Sequence, residues 1–227
     1  MKTRFICLAN SHKYGGRCLA GLQINDEDDI VRTLDGQPRW IRPVWPDNGG
    51  AIPFYHVDCI RLLDIVEIHL TQSVPVGFQT ENYHFDVTSI RVVGQYAFTT
   101  ALPNALTYTE SAEILGNLAR SVSVEEAQFL DHSLTLVCVQ PPFGFYVKLA
   151  GWQEKEQLRM QFGYERVSYD LSVTDPAFLE TYRTNPTCLA DVTDAYLCVS
   201  LGGEHDGAHY KLVAGAIYRY ALLTQQV

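Results

Sequence analysis

The 227-residue sequence has no CxxC pair among its six cysteines (Cys7, Cys18, Cys59, Cys138, Cys188, Cys198), so the spacing that a zinc site or redox pair needs is missing. Most of these cysteines sit in apolar, strand-like surroundings and are expected as buried free thiols. No apolar run reaches the length of a membrane span, and the start Met1-Lys2-Thr3-Arg4 is followed by too short an apolar stretch for a signal-peptide core. A cytoplasmic protein without membrane contact is expected. Low-complexity segments and long charge runs are also missing, and 47% apolar with 19% charged residues is the balance of a globular core. Gly15-Gly16-Arg17 lacks the GK[ST] ending of a P-loop, and Ser200 lacks the GxSxG frame of a nucleophile elbow. Of seven histidines only His205 and His209 stand four apart, in a loop-like segment where that spacing fixes little. No cofactor is called for.

Positive charge is scarce but unevenly placed. The net charge is −9, which opposes a generic polyanion binder, because sequence-independent affinity for nucleic acid comes from Lys and Arg neutralising phosphates. Residues 1–42 nevertheless hold seven basic and five acidic side chains, a local +2, which leaves −11 on the remaining 185 residues. An anionic ligand is expected to meet the N-terminal part first.

Two stretches echo each other. Ile6-Cys7-Leu8-Ala9 leads through a glycine-containing loop to Ala20-Gly21, and Leu197-Cys198-Val199-Ser200 leads through another to Ala214-Gly215. Each reads as strand, loop, strand, and duplication of one unit is set against chance likeness of two hairpins. Further strand-like runs lie at Ile30–Leu34, Leu62–Leu70, Ile90–Val93, Leu134–Gln140, Phe145–Leu149, Leu158–Tyr164 and Val167–Val173. Glu110–Leu118 reads as a helix, as do the segments capped by Ser123 and by Thr174 or Asp175 ahead of Pro176. Pro38, Pro43, Pro46 and Pro53 mark a long loop around Trp40-Ile41-Arg42. The pattern is mainly β with short helices, and it fits two OB-like small β-barrels better than a flat sandwich. The expected division is an N-terminal barrel over 1–98, a helical connector over 99–132 and a C-terminal barrel over 133–227.

The strings FICLANSHKYGGRCLAG, WIRPV, LLDIVEI and QTEN in the first half, with YDLSVTDP and LCVSLGGEHDGAHYKLVAG in the second, resemble those of the bacterial dual OB-containing domain family. The resemblance covers nearly the whole chain. It implies a pair of OB-like barrels and nucleic-acid binding, an implication that the net acidity opposes.

The candidate ligand-binding residues are Lys13, Tyr14, Arg17, Trp40, Arg42 and Lys211. Lys13 and Arg17 flank the first inter-strand loop, one of two that OB-folds use to hold oligonucleotides, with Tyr14 placed to stack on a base. Trp40 and Arg42, at i and i+2 of extended chain, are expected to share a face as a stacking and phosphate-pairing surface. The alternative is that Trp40 packs on the barrel and Arg42 pairs with an acid such as Asp64. Gln79, Glu81 and Asn82 either meet a base edge or hold a domain crossing, and Lys211 is expected to contribute from the second unit. The resulting reading is a binding module for single-stranded nucleic acid or a nucleotide-containing ligand. A hydrolase or nuclease with Asp or His groups at the barrel junction, and an adaptor docking a protein partner, are the competing readings.

Overall fold

A computed structural model of the chain describes residues 1–97, 112–150 and 155–220. In the first half, β1 (Lys2–Lys13), β2 (Gly16–Ile24), β3 (Trp40–Pro43), β4 (Asp64–Ser73) and β5 (Asn82–Gln95) close into a barrel in the order β1-β2-β3-β5-β4. The parallel β3–β5 pair, Arg42 opposite Asn82, closes the ring, since β4 already lies against β1. That is the OB arrangement. Phe5, Cys7, Leu19, Ile41, Val66 and Ile68 fill its interior.

The second half repeats the plan with a broken first strand. Its strands are β6 (Ser121–Ser123), β7 (Leu134–Val139), β8 (Gly144–Ala150), β9 (Lys155–Tyr164), β10 (Val167–Val173), β11 (Val192–His205) and β12 (Ala208–Tyr220). The sheet runs β7-β11-β12-β10-β9-β8, with β6 added beside β12. Here the parallel pair is β10 with β12, Ser172 opposite Leu212. Matching the parallel pairs makes β9, β10, β11 and β12 the second to fifth OB strands. β7 and β8 are then two halves of the first strand, one paired with β11 and the other with β9. Pro141-Pro142 lies between the halves, where two residues without N–H groups interrupt a ladder. Helix α1 (Val124–Ala127) starts in a capping box of Ser123 and Glu126, as expected. Helix α2 (Pro176–Thr184), between the third and fourth strands, is capped by Asp175, whose carboxylate accepts from the Ala177 and Phe178 N–H groups. No helix among the described residues is long and apolar enough to cross a membrane.

The equivalence of strands corrects the reading of the echo. β1–β2 is the first hairpin of its barrel, whereas β11–β12 is the last of its own, so the two are not copies of one place. Their likeness has a physical cause instead, because β1 and β11 are each buried on both faces. Phe5 and Cys7 point into the first barrel, and Leu197, Val199 and Leu201 into the second. The alternate residues Ile6 and Leu8 meet Tyr196, Cys198 and Ala214 in an apolar cluster shared between the barrels. A strand buried on both sides reads as a continuous apolar run, which is what both segments show. Cys7 therefore faces an interior and Cys198 the shared layer.

Other expectations also change. Residues 112–118 hold no helix: Ile114 bridges to Asn117 across a turn with Leu115 at φ 52° and Gly116 at φ 92°; Glu110 and Ser111 lie outside the described residues. The expected loops of the two echoing hairpins are two-residue turns, Tyr14-Gly15 and Asp206-Gly207, all four residues with positive φ. Such turns match the strand twist, so the polar residues around them stay on the strands. His205 and His209 are thus on facing strands, not in a loop. Cys59 is an exposed thiol rather than a buried one.

Gly215 marks where the barrels touch. A Cβ there would lie 2.0 Å from the Leu8 carbonyl oxygen, a backbone atom that cannot rotate away. Gly215→Ala is expected to lower the unfolding free energy by about 1–3 kcal/mol or more in urea titration. Gly163→Ala, which meets nothing within 4 Å, should be close to neutral or slightly stabilising. Equal stability of the Gly215 variant and wild type would contradict this packing.

Candidate nucleic-acid interface

The barrels leave a cleft of about 700 Å³ along their junction. One wall carries the end of β1 and its turn, and the other carries the β11–β12 hairpin with β8–β10. In OB terms, the first-strand turn of one barrel faces the last-hairpin turn of the other. Several contacts fix that meeting. His12 N–H donates to the Thr174 carbonyl at 2.8 Å, and Thr80 Oγ1 to the Asp131 carbonyl at 2.6 Å. Phe78, from the β4–β5 connection, enters the core of the second barrel and meets the His209 ring edge-on at 4.7 Å. The Tyr14 hydroxyl lies against Gly203, 3.3 Å from where a Cβ would stand.

Among the described residues six basic side chains border this cleft, Lys13, Arg42, Arg120, Lys148, Arg159 and Lys211, against one carboxylate, Asp206. Arg159 is engaged with Asp170 at 3.0 Å and with Ser172 at 2.7 Å. Lys13 is half-buried with no hydrogen-bond or ion-pair partner among the described residues, and burial together with the Arg42 charge pushes its amine below the usual lysine value. Arg120 and Lys148 are exposed at the rim. Lys211 is 1% exposed, with Nζ donating to the Asn117 carbonyl at 2.7 Å and to Asn117 Oδ1 at 2.8 Å. Burial brings its pKa down to about 8, against the opposing pull of Glu113 and Glu126.

Four of the six sequence candidates, Lys13, Tyr14, Arg42 and Lys211, thus meet in one cleft. Arg17 stands apart from it, with Nη1 at 2.5 Å from His12 Nδ1 and its N–H bonded to Ile52. Trp40 is also elsewhere: it borders a second cleft of about 520 Å³ and packs on the shared apolar cluster. Trp40 and Arg42 therefore do not form one surface. Arg120 and Lys148 escaped the sequence reading because each is a lone cation in an acidic half, and only the fold brings them to the cleft.

Arg42 is 2% exposed. Its Nε donates to Asn82 Oδ1 at 2.7 Å, and its Nη2 lies 2.8 Å from Glu81 Oε1. The acid is Glu81 rather than Asp64. That contact pairs the charges, yet no Nη2 N–H is aligned on an acceptor, and Glu81 Oε2 is also without a hydrogen bond. Ser133 of the second unit donates its hydroxyl to Glu81 Oε1, so the Gln79–Asn82 stretch holds a domain crossing. Among the described residues no group of three or more His, Cys, Asp or Glu side chains is placed to hold a metal ion. The Asp170 and Asp175 carboxylates are occupied by Arg159 and by the α2 cap.

Two OB-type barrels in tandem, joined by a shared core, define the class of protein. Residues 3–216 match the family described as the dual OB-containing domain, and the chain belongs to that family. No curated protein sequence matches it. Among solved structures it is similar to a chain of a replication protein A heterotrimer bound to ssDNA, with 9% identity and a TM-score of 0.40, over 99% of this chain and 49% of the other. This chain thus spans about half of that one. It is also similar to the tetrameric p202 HIN2 structure, with 8% identity and a TM-score of 0.34 over 98% and 94% of the two chains. A murine DNA binding protein bound with ds DNA gives 8% identity and a TM-score of 0.32 over 96% of each chain.

The buried Lys211 sets a pH dependence. Between about pH 8 and the ordinary lysine value of 10.5, the unfolded chain keeps a proton that the folded chain has released. Folding stability contributed by this site therefore rises with pH across that window. The wild-type unfolding free energy should gain on that of Lys211→Met by up to about 3 kcal/mol over the whole window. Urea titrations of both proteins at pH 7.5 and 10 check this, and a constant difference would contradict it.

Proposed function

We propose that the inter-barrel cleft binds a phosphate-bearing ligand, single-stranded nucleic acid or a nucleotide, by charge pairing with stacking from Tyr14. The observation that carries this reading is the concentration of cations. In a chain of net charge −9, six basic side chains border one cavity. Four of them, Lys13, Arg120, Lys148 and Lys211, have no salt-bridge partner among the described residues. Cations gathered without counter-ions raise the local potential for an anion. Tyr14, 66% exposed at the mouth, offers a ring face to a base. The acidic remainder of the chain confines such binding to the cleft, which separates this protein from a sequence-independent polyanion binder. The family's implied nucleic-acid binding agrees. The free thiols fit the reducing cytoplasm expected from the sequence.

Fluorescence-anisotropy titration of a short single-stranded DNA at two salt concentrations tests the proposal. Lys13→Ala and Lys148→Ala should each weaken binding and reduce the log–log salt slope by about 0.7 per lost phosphate contact. Tyr14→Ala should cost about 1–3 kcal/mol of affinity. All three residues are partly or fully exposed, so melting temperatures should stay near wild type. Absence of binding to DNA, RNA or nucleotide at low salt, or equal binding by the three variants, would overturn the reading.

A further inference from the structure

We infer that a strand bound in the cleft continues around the tip of the β1–β2 hairpin onto the hairpin's other face, where His12, Arg17 and Arg183, beside the exposed rings of Phe54 and Tyr55, form a second subsite for single-stranded nucleic acid. The inference rests on the phosphate-binding reading of the cleft and goes beyond it in extent.

The two faces of the hairpin have different neighbours, because successive side chains of a strand point to opposite sides. On β2, Cys18 borders the cleft while Leu19 fills the barrel interior, so Arg17 projects on the side of Leu19, away from the cleft. His12 lies opposite Arg17 in the ladder and shares that side, and it also borders the cleft, which makes the two surfaces contiguous. Arg17 exchanges backbone hydrogen bonds with Ile52 at 2.8 and 2.9 Å. Phe54 and Tyr55 follow directly after Pro53, 54% and 64% exposed, with their rings edge to face at 5.9 Å. Helix α2 of the second barrel packs on β1 and carries the exposed Arg183 in its last turn.

Neither Arg17 nor Arg183 forms an ion pair among the described residues. Arg17 Nη1 donates to His12 Nδ1 at 2.5 Å, and since a guanidinium only donates, the imidazole keeps its proton on Nε2 as a further donor. Burial, and then the Arg17 and Arg183 charges, push the His12 imidazole below its usual value, so both cations act on one spot. The Asp175 carboxylate, which also acts on Arg17, is 3% exposed and engaged by the Ala177, Phe178 and Ala216 N–H groups. Glu180, exposed on α2, pairs with neither arginine among the described residues. A cavity of about 700 Å³ is the size of a small-ligand site, so a strand of more than a few nucleotides must leave it, and this flank adjoins it through His12. Arginines without counter-ions pair with phosphates and exposed rings stack with bases, the two contacts that hold single strands without regard to sequence. Cations set beside open rings favour a polynucleotide over an acidic protein, which offers no base to stack.

The test titrates fluorescein-labelled thymidylate trimers and dodecamers with the full chain at two salt concentrations. Arg183→Ala and Arg17→Ala should each weaken dodecamer binding by about threefold or more and lower its log–log salt slope by about 0.7, leaving trimer affinity at the wild-type value. Tyr55→Ala should weaken dodecamer binding by about fivefold or more, again without effect on the trimer, whereas Lys13→Ala should weaken both probes. Arg183 and Tyr55 are exposed, so their variants should melt near wild type. Arg17 is half-buried, so its variant is read only if it melts cooperatively, and Arg183→Ala carries the test otherwise. Dodecamer affinity and salt slope unchanged in Arg183→Ala and Tyr55→Ala, or losses equal for trimer and dodecamer, would overturn the inference while leaving the reading of the cleft intact. Binding of neither probe at low salt would overturn that reading itself.

Discussion

Apolar contact between the outer faces of two barrels, centred where the Leu8 carbonyl meets Gly215, fixes how one half of this chain sits on the other. Ile6, Leu8, Ala20 and Leu22 give one side of that layer, and Leu134, Leu136, Cys198 and Ala214 the other. Small residues at the closest point let the backbones approach, and the branched residues around them exclude water. The cleft follows from this contact. Neither barrel carries the site alone, because Lys13 and Arg42 belong to the first and Arg120, Lys148 and Lys211 to the second. Polar contacts along the same seam, Thr80 to Asp131 and Ser133 to Glu81, hold the register that the apolar layer leaves open.

Electrostatics then decide what the cleft is suited to. An acidic chain that gathers six basic side chains at one seam, four of them without a salt-bridge partner among the described residues, gives a local attraction for anions against a general repulsion. Arg42 and Glu81 sit at the inner end as a buried pair, which contributes little net stability by itself but is costly to break from one side. Its hydrogen bonding is incomplete, since Arg42 Nη2 and Glu81 Oε2 are shielded from solvent without an aligned partner. Lys211 is different, since its Asn117 partners are neutral and burial works against its charge.

Local rules made much of the fold legible in the sequence. Strand composition marked most of the ladders, and Ser123 and Asp175 announced the two helix starts through capping chemistry. Glu110–Leu118 misled because its apolar spacing reflects burial of Ile114 and Leu115 around a turn, a tertiary effect that periodicity does not distinguish from a helix. The likeness of the Cys7 and Cys198 segments pointed to duplication, whereas its cause is that both strands are covered twice. The site was legible only in part. Lys13 flanks and Tyr14 lies in the turn of a hairpin that the sequence marked, though as a loop, but the separation of Trp40 from Arg42 depends on Glu81 and on the second barrel, which lie far away in sequence. Arg120 and Lys148 carry no local signal at all.

The central claim is that the two barrels form one site, with the β1–β2 turn and the β11–β12 hairpin acting together. Hydrogen–deuterium exchange of the full chain, with and without a saturating short single-stranded DNA, tests it most directly. The account predicts that ligand slows exchange in both peptides around residues 11–18 and 200–212, with no protection at the Trp40 cleft. Protection confined to one barrel, or centred on Trp40 and Arg39, would contradict it.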